Sequence, residues 1–115
     1  MKVGIDLLEI ERINLSKKFL NKILTEKEQE YVEKFENKKE KICGLFCAKE
    51  AIFKALDLKN FKPKLIEISH SASGRPLVNL SGEYLEHFNS NYKKIDISIT
   101  HNKTLAQAIC LIEEK

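Results

Sequence analysis

The stretch FCAKEAIFKAL, residues 46–56, decides how the chain is read. It has the composition of a buried helix, yet it carries Lys49, Glu50 and Lys54. Charged groups are costly to bury unless they are paired or bound. At ~100° per residue, Ile42, Leu45, Phe46, Ile52, Phe53 and Leu56 gather on one broad face of a helix over 41–58. Gly44, Ala48, Ala51 and Ala55 form a second face, small enough for another backbone to approach closely. Glu50 and Lys54 fall in the seam between the two faces, beside Cys43 and Cys47. At i,i+4 they can form a surface ion pair of about 0.2–0.5 kcal/mol, but no polar stripe surrounds them. The other reading is a cation and phosphate site, with a carboxylate for the metal and an ammonium for phosphate oxygens. Mg²⁺ is usually held by one or two carboxylates plus substrate oxygens, so a second acid is expected elsewhere. Asp6, after Gly4 at the end of a first strand, is the candidate; the alternative is that it caps the next helix.

Outward from this helix, the N-terminal side reads as a short strand KVGID and a helical LLEIERINLSKKFLNKIL broken near Asn14–Ser16. A new helix starts at Thr25, where Thr25 and Glu28 have capping-box spacing. After Pro63 the period changes. LIEIS, SASGRP and LVNL read as strand, turn and strand, SGEYLEHF as a short helix. KIDISIT and TLAQAICLI are two further strands around a turn at His101-Asn102-Lys103. Helices mostly precede antiparallel strands, so the expected class is α+β, with N-terminal helices packed on a small antiparallel sheet. No linker or repeat interrupts the chain, and one domain over 1–115 is expected.

With 115 residues, 43% of them hydrophobic and 32% charged, the composition is that of a globular protein with a real core. No apolar run approaches the roughly 20 residues of a membrane span. Acids interrupt the apolar N-terminus where a signal peptide would need none, and a cytoplasmic location is expected. Cys43, Cys47 and Cys110 are odd in number and read as small buried residues rather than a disulfide framework or a zinc site. The net charge of +3 is mild, but Arg12, Lys17, Lys18 and Lys22 cluster in one stretch, and Lys38, Lys39 and Lys41 in another. A basic module for an acidic protein or RNA is one function class compatible with this. No aromatic stacking strand or RNA-binding signature accompanies it, and no nucleic-acid partner is expected. A Mg²⁺-dependent phosphohydrolase is another.

Four segments in order resemble a known family: GIDLLEIERI (4–13), FCAKEAIFKAL (46–56), GRP (74–76) and SITHNK (98–103). Together they are similar to the small bacterial 4′-phosphopantetheinyl transferases of the holo-acyl-carrier-protein synthase type, over nearly the whole chain. The resemblance implies that family's fold and transfer of 4′-phosphopantetheine from coenzyme A to a serine of apo-acyl carrier protein. Adenosine 3′,5′-bisphosphate is released, in service of fatty acid biosynthesis. It implies Mg²⁺, a homotrimer with active sites at subunit interfaces, and an acidic carrier-protein partner. Carried over by motif, Asp6 and Glu50 would ligate Mg²⁺, and Glu50 and Lys54 would serve catalysis. Lys54 and Lys49 would contact phosphates, His101 would sit near the coenzyme A nucleotide, and Arg12 would face the carrier protein. Lys17, Lys18 and Lys22 extend that basic surface; His70 and His87 are expected to be structural. The chain departs from the family pattern at Leu45, often Arg; after Ala55, where ALDLKNF is not glycine-rich; and at Asn102, where a hydroxyl residue is common. Lys38, Lys39 or Lys41 could supply the contact missing at Leu45.

Overall fold

The computed structural model describes residues 1–115. Strand β1 (Lys2–Glu9) leads into a 3₁₀ turn (Ile10–Arg12), helices α1 (Lys17–Ile23), α2 (Glu26–Val32) and α3 (Lys38–Ala55), and a second 3₁₀ turn (Pro63–Leu65). The hairpin β2 (Ile66–His70) and β3 (Pro76–Leu80) follows, then α4 (Gly82–Asn91), β4 (Tyr92–His101) and β5 (Leu105–Glu114). The class is α+β, as expected. A three-stranded antiparallel sheet has the order β1-β5-β4, and β2-β3 forms a separate hairpin.

Helix α3 lies across the inner face of the three-stranded sheet. Its small-residue face is what allows this. A Cβ built on Gly4 would lie 2.0 Å from the Ala51 carbonyl oxygen and 2.7 Å from the Ala55 amide. Backbone therefore packs on backbone, and no other residue fits at position 4. On β5, Ala106, Ala108, Cys110 and Ile112 face α3 and are buried, whereas Leu105, Ile109 and Leu111 face outward and are exposed. TLAQAICLI is thus buried on one face only.

The first strand is longer than the sequence suggests. Leu7, Leu8 and Glu9 have helical spacing but are strand, because β1 pairs with β5 all the way from Lys2↔Ile112 to Glu9↔Leu105. Tertiary pairing here overrides a weak local preference. The break at Asn14–Ser16 is real. Asn14 Oδ1 accepts from the Ser16 amide at 2.8 Å, and Ser16 Oγ accepts from the Phe19 amide at 3.2 Å, capping α1. The capping box of Thr25 and Glu28 is present at the start of α2. Helix α3 begins three residues earlier than expected, at Lys38, and ends at Ala55; the chain leaves it through Asp57 at φ 56°.

Two departures from the family pattern find local explanations. The loop after α3 is pinned by Tyr84, whose hydroxyl accepts from the Lys62 amide at 2.7 Å and donates to the Asn60 carbonyl. Asn102 builds the β4–β5 turn: its Oδ1 accepts from the Thr104 and Leu105 amides at 2.9 and 2.8 Å. Short polar side chains favour such turns because they substitute for a backbone acceptor.

Candidate active site

Residues alternate faces along a strand. Gly4 faces α3, so Asp6 does too, on the same side and one step further along. Asp6 lies inside β1, not at its end, and it caps no helix. Glu50 and Lys54 lie one turn apart on α3. Lys54 Nζ reaches across to β1, donating to the Ile5 carbonyl at 3.0 Å and to Asp6 Oδ1 at 3.2 Å. The simple i,i+4 ion pair with Glu50 is therefore not what forms; Lys54 engages Asp6.

Glu50 is left half-buried without a cation bonded to it. Burial raises its carboxyl above the ordinary 4.5, the Asp6 charge raises it further, and Lys54 only partly opposes this. Two acids facing one another at this cost form a cation-seeking pair. Behind them Cys47 is fully buried; burial first, then the Asp6 carboxylate, pushes its thiol up to about 12. It is inert packing, and all three cysteines are free and buried, as the sequence suggests. No third His, Cys, Asp or Glu joins Asp6 and Glu50. The donor set is hard and anionic, and these two carboxylates could hold a hard divalent cation such as Mg²⁺.

Lys49 requires a correction. Its side chain is 0% exposed, and its ammonium donates to Glu28 Oε1 at 2.6 Å, the Ile23 carbonyl at 2.6 Å and the Pro63 carbonyl at 3.0 Å. All three of its protons are used, so it offers a phosphate nothing. The missed residue is Glu28. Its capping role was visible in the T-x-x-E spacing, but a local pattern says nothing of a partner 21 residues away.

His101 ends β4. Its Nδ1 lies 3.2 Å from Glu40 Oε2, yet the atom is buried and makes no well-formed hydrogen bond. His101 lines a cavity of about 150 Å³ together with Lys41, Leu45, His70, Tyr31 and Pro76. Tyr31 and His70 stack there with ring centroids 4.1 Å apart. Lys41 and Leu45 thus line one cavity, a turn apart. Glu40 had no signal in the sequence. Glu40 and Glu50 are ten residues apart on α3, about 15 Å along the axis. Within one chain, His101 and the Asp6–Glu50 pair therefore lie toward different ends of the helix. His87 is structural, with Nε2 2.9 Å from the Leu56 carbonyl.

The basic stretch is split. Arg12 sits in the first 3₁₀ turn, 3.3 Å from Glu9, while Lys17, Lys18 and Lys22 are exposed on α1. Lys18 and Lys22, at i,i+4, share a face.

The fold and the acid–ammonium site define a class. The profile of the 4′-phosphopantetheinyl transferase superfamily matches residues 2–110, and the chain belongs to that superfamily. Within it the chain is an enzyme of the holo-[acyl-carrier-protein] synthase family. It is 44% identical to the holo-[acyl-carrier-protein] synthase of Clostridium tetani, over 96% of this chain and 94% of that one. It is 40% identical to that of Fusobacterium nucleatum, over 96% of each. The Helicobacter pylori holo-[acyl-carrier-protein] synthase, solved in complex with coenzyme A, superposes with a TM-score of 0.84 at 31% identity, over 96% of this chain and 99% of that one.

Proposed function

We propose that the chain transfers 4′-phosphopantetheine from coenzyme A to a serine of apo-acyl carrier protein, releasing adenosine 3′,5′-bisphosphate, with Mg²⁺ as the required cation. The observation that carries this reading is Asp6 and Glu50 paired across β1 and α3 with Lys54 bonded alongside. Similarity to synthases solved with coenzyme A supports the donor.

The serine hydroxyl attacks the β-phosphorus of coenzyme A, and the bond to the bridging oxygen of the nucleotide breaks. Adenosine 3′,5′-bisphosphate leaves with that electron pair. Asp6 and Glu50 would hold the cation. Mg²⁺, when bound, supplies positive charge against the pyrophosphate oxygens. Lys54 is half exposed, so its ammonium can turn from Asp6 to phosphate oxygens as negative charge develops there. Glu50, or a water held by the cation, would accept the serine proton. His101 and Lys41, in the cavity at the other end of α3, would meet the nucleotide. Arg12, Lys17, Lys18 and Lys22 would dock the acidic carrier protein.

This division of labour along α3 favours a site completed between subunits, and we propose a homotrimer. Val3, Ile5, Leu7, Leu105, Ile109 and Leu111 form an exposed apolar face on the outer side of the sheet. Exposed apolar faces of this kind mark association surfaces. No helix is long and apolar enough to cross a membrane; with three free cysteines, the cytoplasm, as part of fatty acid biosynthesis, is the setting proposed.

Mass spectrometry of apo-acyl carrier protein incubated with the chain, coenzyme A and Mg²⁺ tests the reading. A single phosphopantetheine adduct on one serine is expected. Coenzyme A cleavage without an adduct would make the chain a phosphohydrolase, and no reaction would make it a binding module.

A further inference from the structure

Glu28 and Lys49 form an ion pair in which both side chains are 0% exposed. The transfer chemistry uses neither. A buried ion pair adds little net stability, because desolvating two charges offsets most of their attraction. What it imposes is geometry, since every donor and acceptor must find its partner. The Lys49 ammonium is saturated by Glu28 and by the carbonyls of Ile23 and Pro63. Glu28 Oε1 also accepts from the Thr25 amide at 2.8 Å, and Oε2 accepts from the Ile68 amide at 2.8 Å. The end of α1, the start of α2, the second 3₁₀ turn and β2 are thereby tied to a single point on α3.

That point immediately precedes Glu50. Successive helix residues are ~100° and about 1.5 Å apart. Clamping Lys49 into the α2–β2 side therefore sets the direction in which Glu50 leaves the helix. The Gly4 contact limits how closely α3 approaches β1, but Gly4, Ala51 and Ala55 are smooth and do not by themselves prevent α3 from turning. We propose that Lys49, anchored by Glu28, is a positioning residue: it holds α3 in the rotational setting that keeps Glu50 beside Asp6. The inference rests on the reading that Asp6 and Glu50 hold the divalent cation.

The test uses Glu28→Gln, which is nearly isosteric and keeps an acceptor for the Thr25 or Ile68 amide, together with Lys49→Met. Mn²⁺ binding is followed by electron paramagnetic resonance, alongside transfer rate against Mg²⁺ concentration and thermal unfolding. Both variants should bind Mn²⁺ about tenfold or more weakly, the scale seen when a ligand loses its supporting partner. The Mg²⁺ concentration for half-maximal rate should rise in parallel, with activity largely recovered at high Mg²⁺. A purely structural pair would lower the unfolding temperature and leave Mn²⁺ affinity within twofold of wild type, which overturns the proposal. If Lys49→Met does not fold, Glu28→Gln carries the test; if Glu28→Gln also fails to fold, the pair is structural and the proposal falls. Glu50→Gln is the control. Unchanged Mn²⁺ affinity there sinks the carboxylate-pair reading itself, whereas a loss there with none in Glu28→Gln sinks only the positioning role.

Discussion

Gly4 and Ala51 touch backbone to backbone: a side-chain carbon on Gly4 would sit 2.0 Å from the Ala51 carbonyl oxygen. This contact sets the spacing between β1 and α3. Asp6, two residues along on the same face, and Glu50, adjacent to Ala51, inherit that spacing. Gly4→Ala must push the strand and helix apart. Overpacking of a core typically costs about 1–3 kcal/mol, and here the obstacle is backbone, so the cost should reach or exceed the upper end. Urea unfolding should show it, with transfer activity falling together with Mn²⁺ affinity. A variant as stable as wild type would mean that α3 can shift without consequence.

Glu50→Gln should fold and lose roughly a hundredfold or more in transfer rate, the scale on which removing one electrostatic stabiliser acts. Its stability carries a sign that can be checked. In the folded protein the Glu50 carboxyl is raised, by burial first and by Asp6 second. The folded state therefore binds the Glu50 proton more tightly than the unfolded state does. Stability falls as pH rises from the ordinary carboxylate value through the raised one. Without Mg²⁺, Glu50→Gln should thus gain on wild type at neutral pH and lose that advantage near pH 4. Calorimetric unfolding across that range is the measurement, and an advantage that grows toward low pH would contradict the assignment.

Arg12→Glu combined with Lys18→Glu should raise KM for the carrier protein and flatten its salt dependence. Both charges are exposed, so each contributes little alone and is screened over about 8 Å at physiological salt. Opposite charge steers encounter more than it adds affinity. Coenzyme A binding, measured by calorimetry, should be nearly unchanged because Asp6, Glu50 and Lys54 are untouched. The two residues lie on different elements, the 3₁₀ turn and α1. A carrier-protein KM equal to wild type at low salt would remove this surface from docking.

Ile109→Lys places a charge in the middle of the exposed apolar face formed by β1 and β5. If the chain forms the proposed homotrimer, this charge should dissociate it, with light scattering reporting a folded monomer, and transfer should fall at least tenfold because His101 and the Asp6–Glu50 pair would no longer meet across subunits. An active monomeric wild-type chain at micromolar concentration would defeat the expectation.

The α+β class, the small-residue face of α3, the capping box at Thr25 and the strands after Pro63 were legible because each is a local, periodic pattern. So were Glu50 and Lys54 as candidates, since an acid and a base in an apolar seam stand out wherever the seam lies; Asp6 was legible only as a second acid, against a capping role that its place inside β1 excludes. Three things were not legible. Leu7–Glu9 carry helical spacing and became strand because β5 offers them a ladder of hydrogen bonds. Lys54 chose Asp6, 48 residues away, over Glu50 one turn off, because β1 passes directly over that turn. Lys49 looked equivalent to Lys54 in sequence, but it points inward, where Glu28 and two carbonyls use all its protons. Periodicity reports which face of an element is apolar. It does not report what another element brings to that face, and for buried charge the arriving partner decides whether a lysine anchors the helix or serves the substrate.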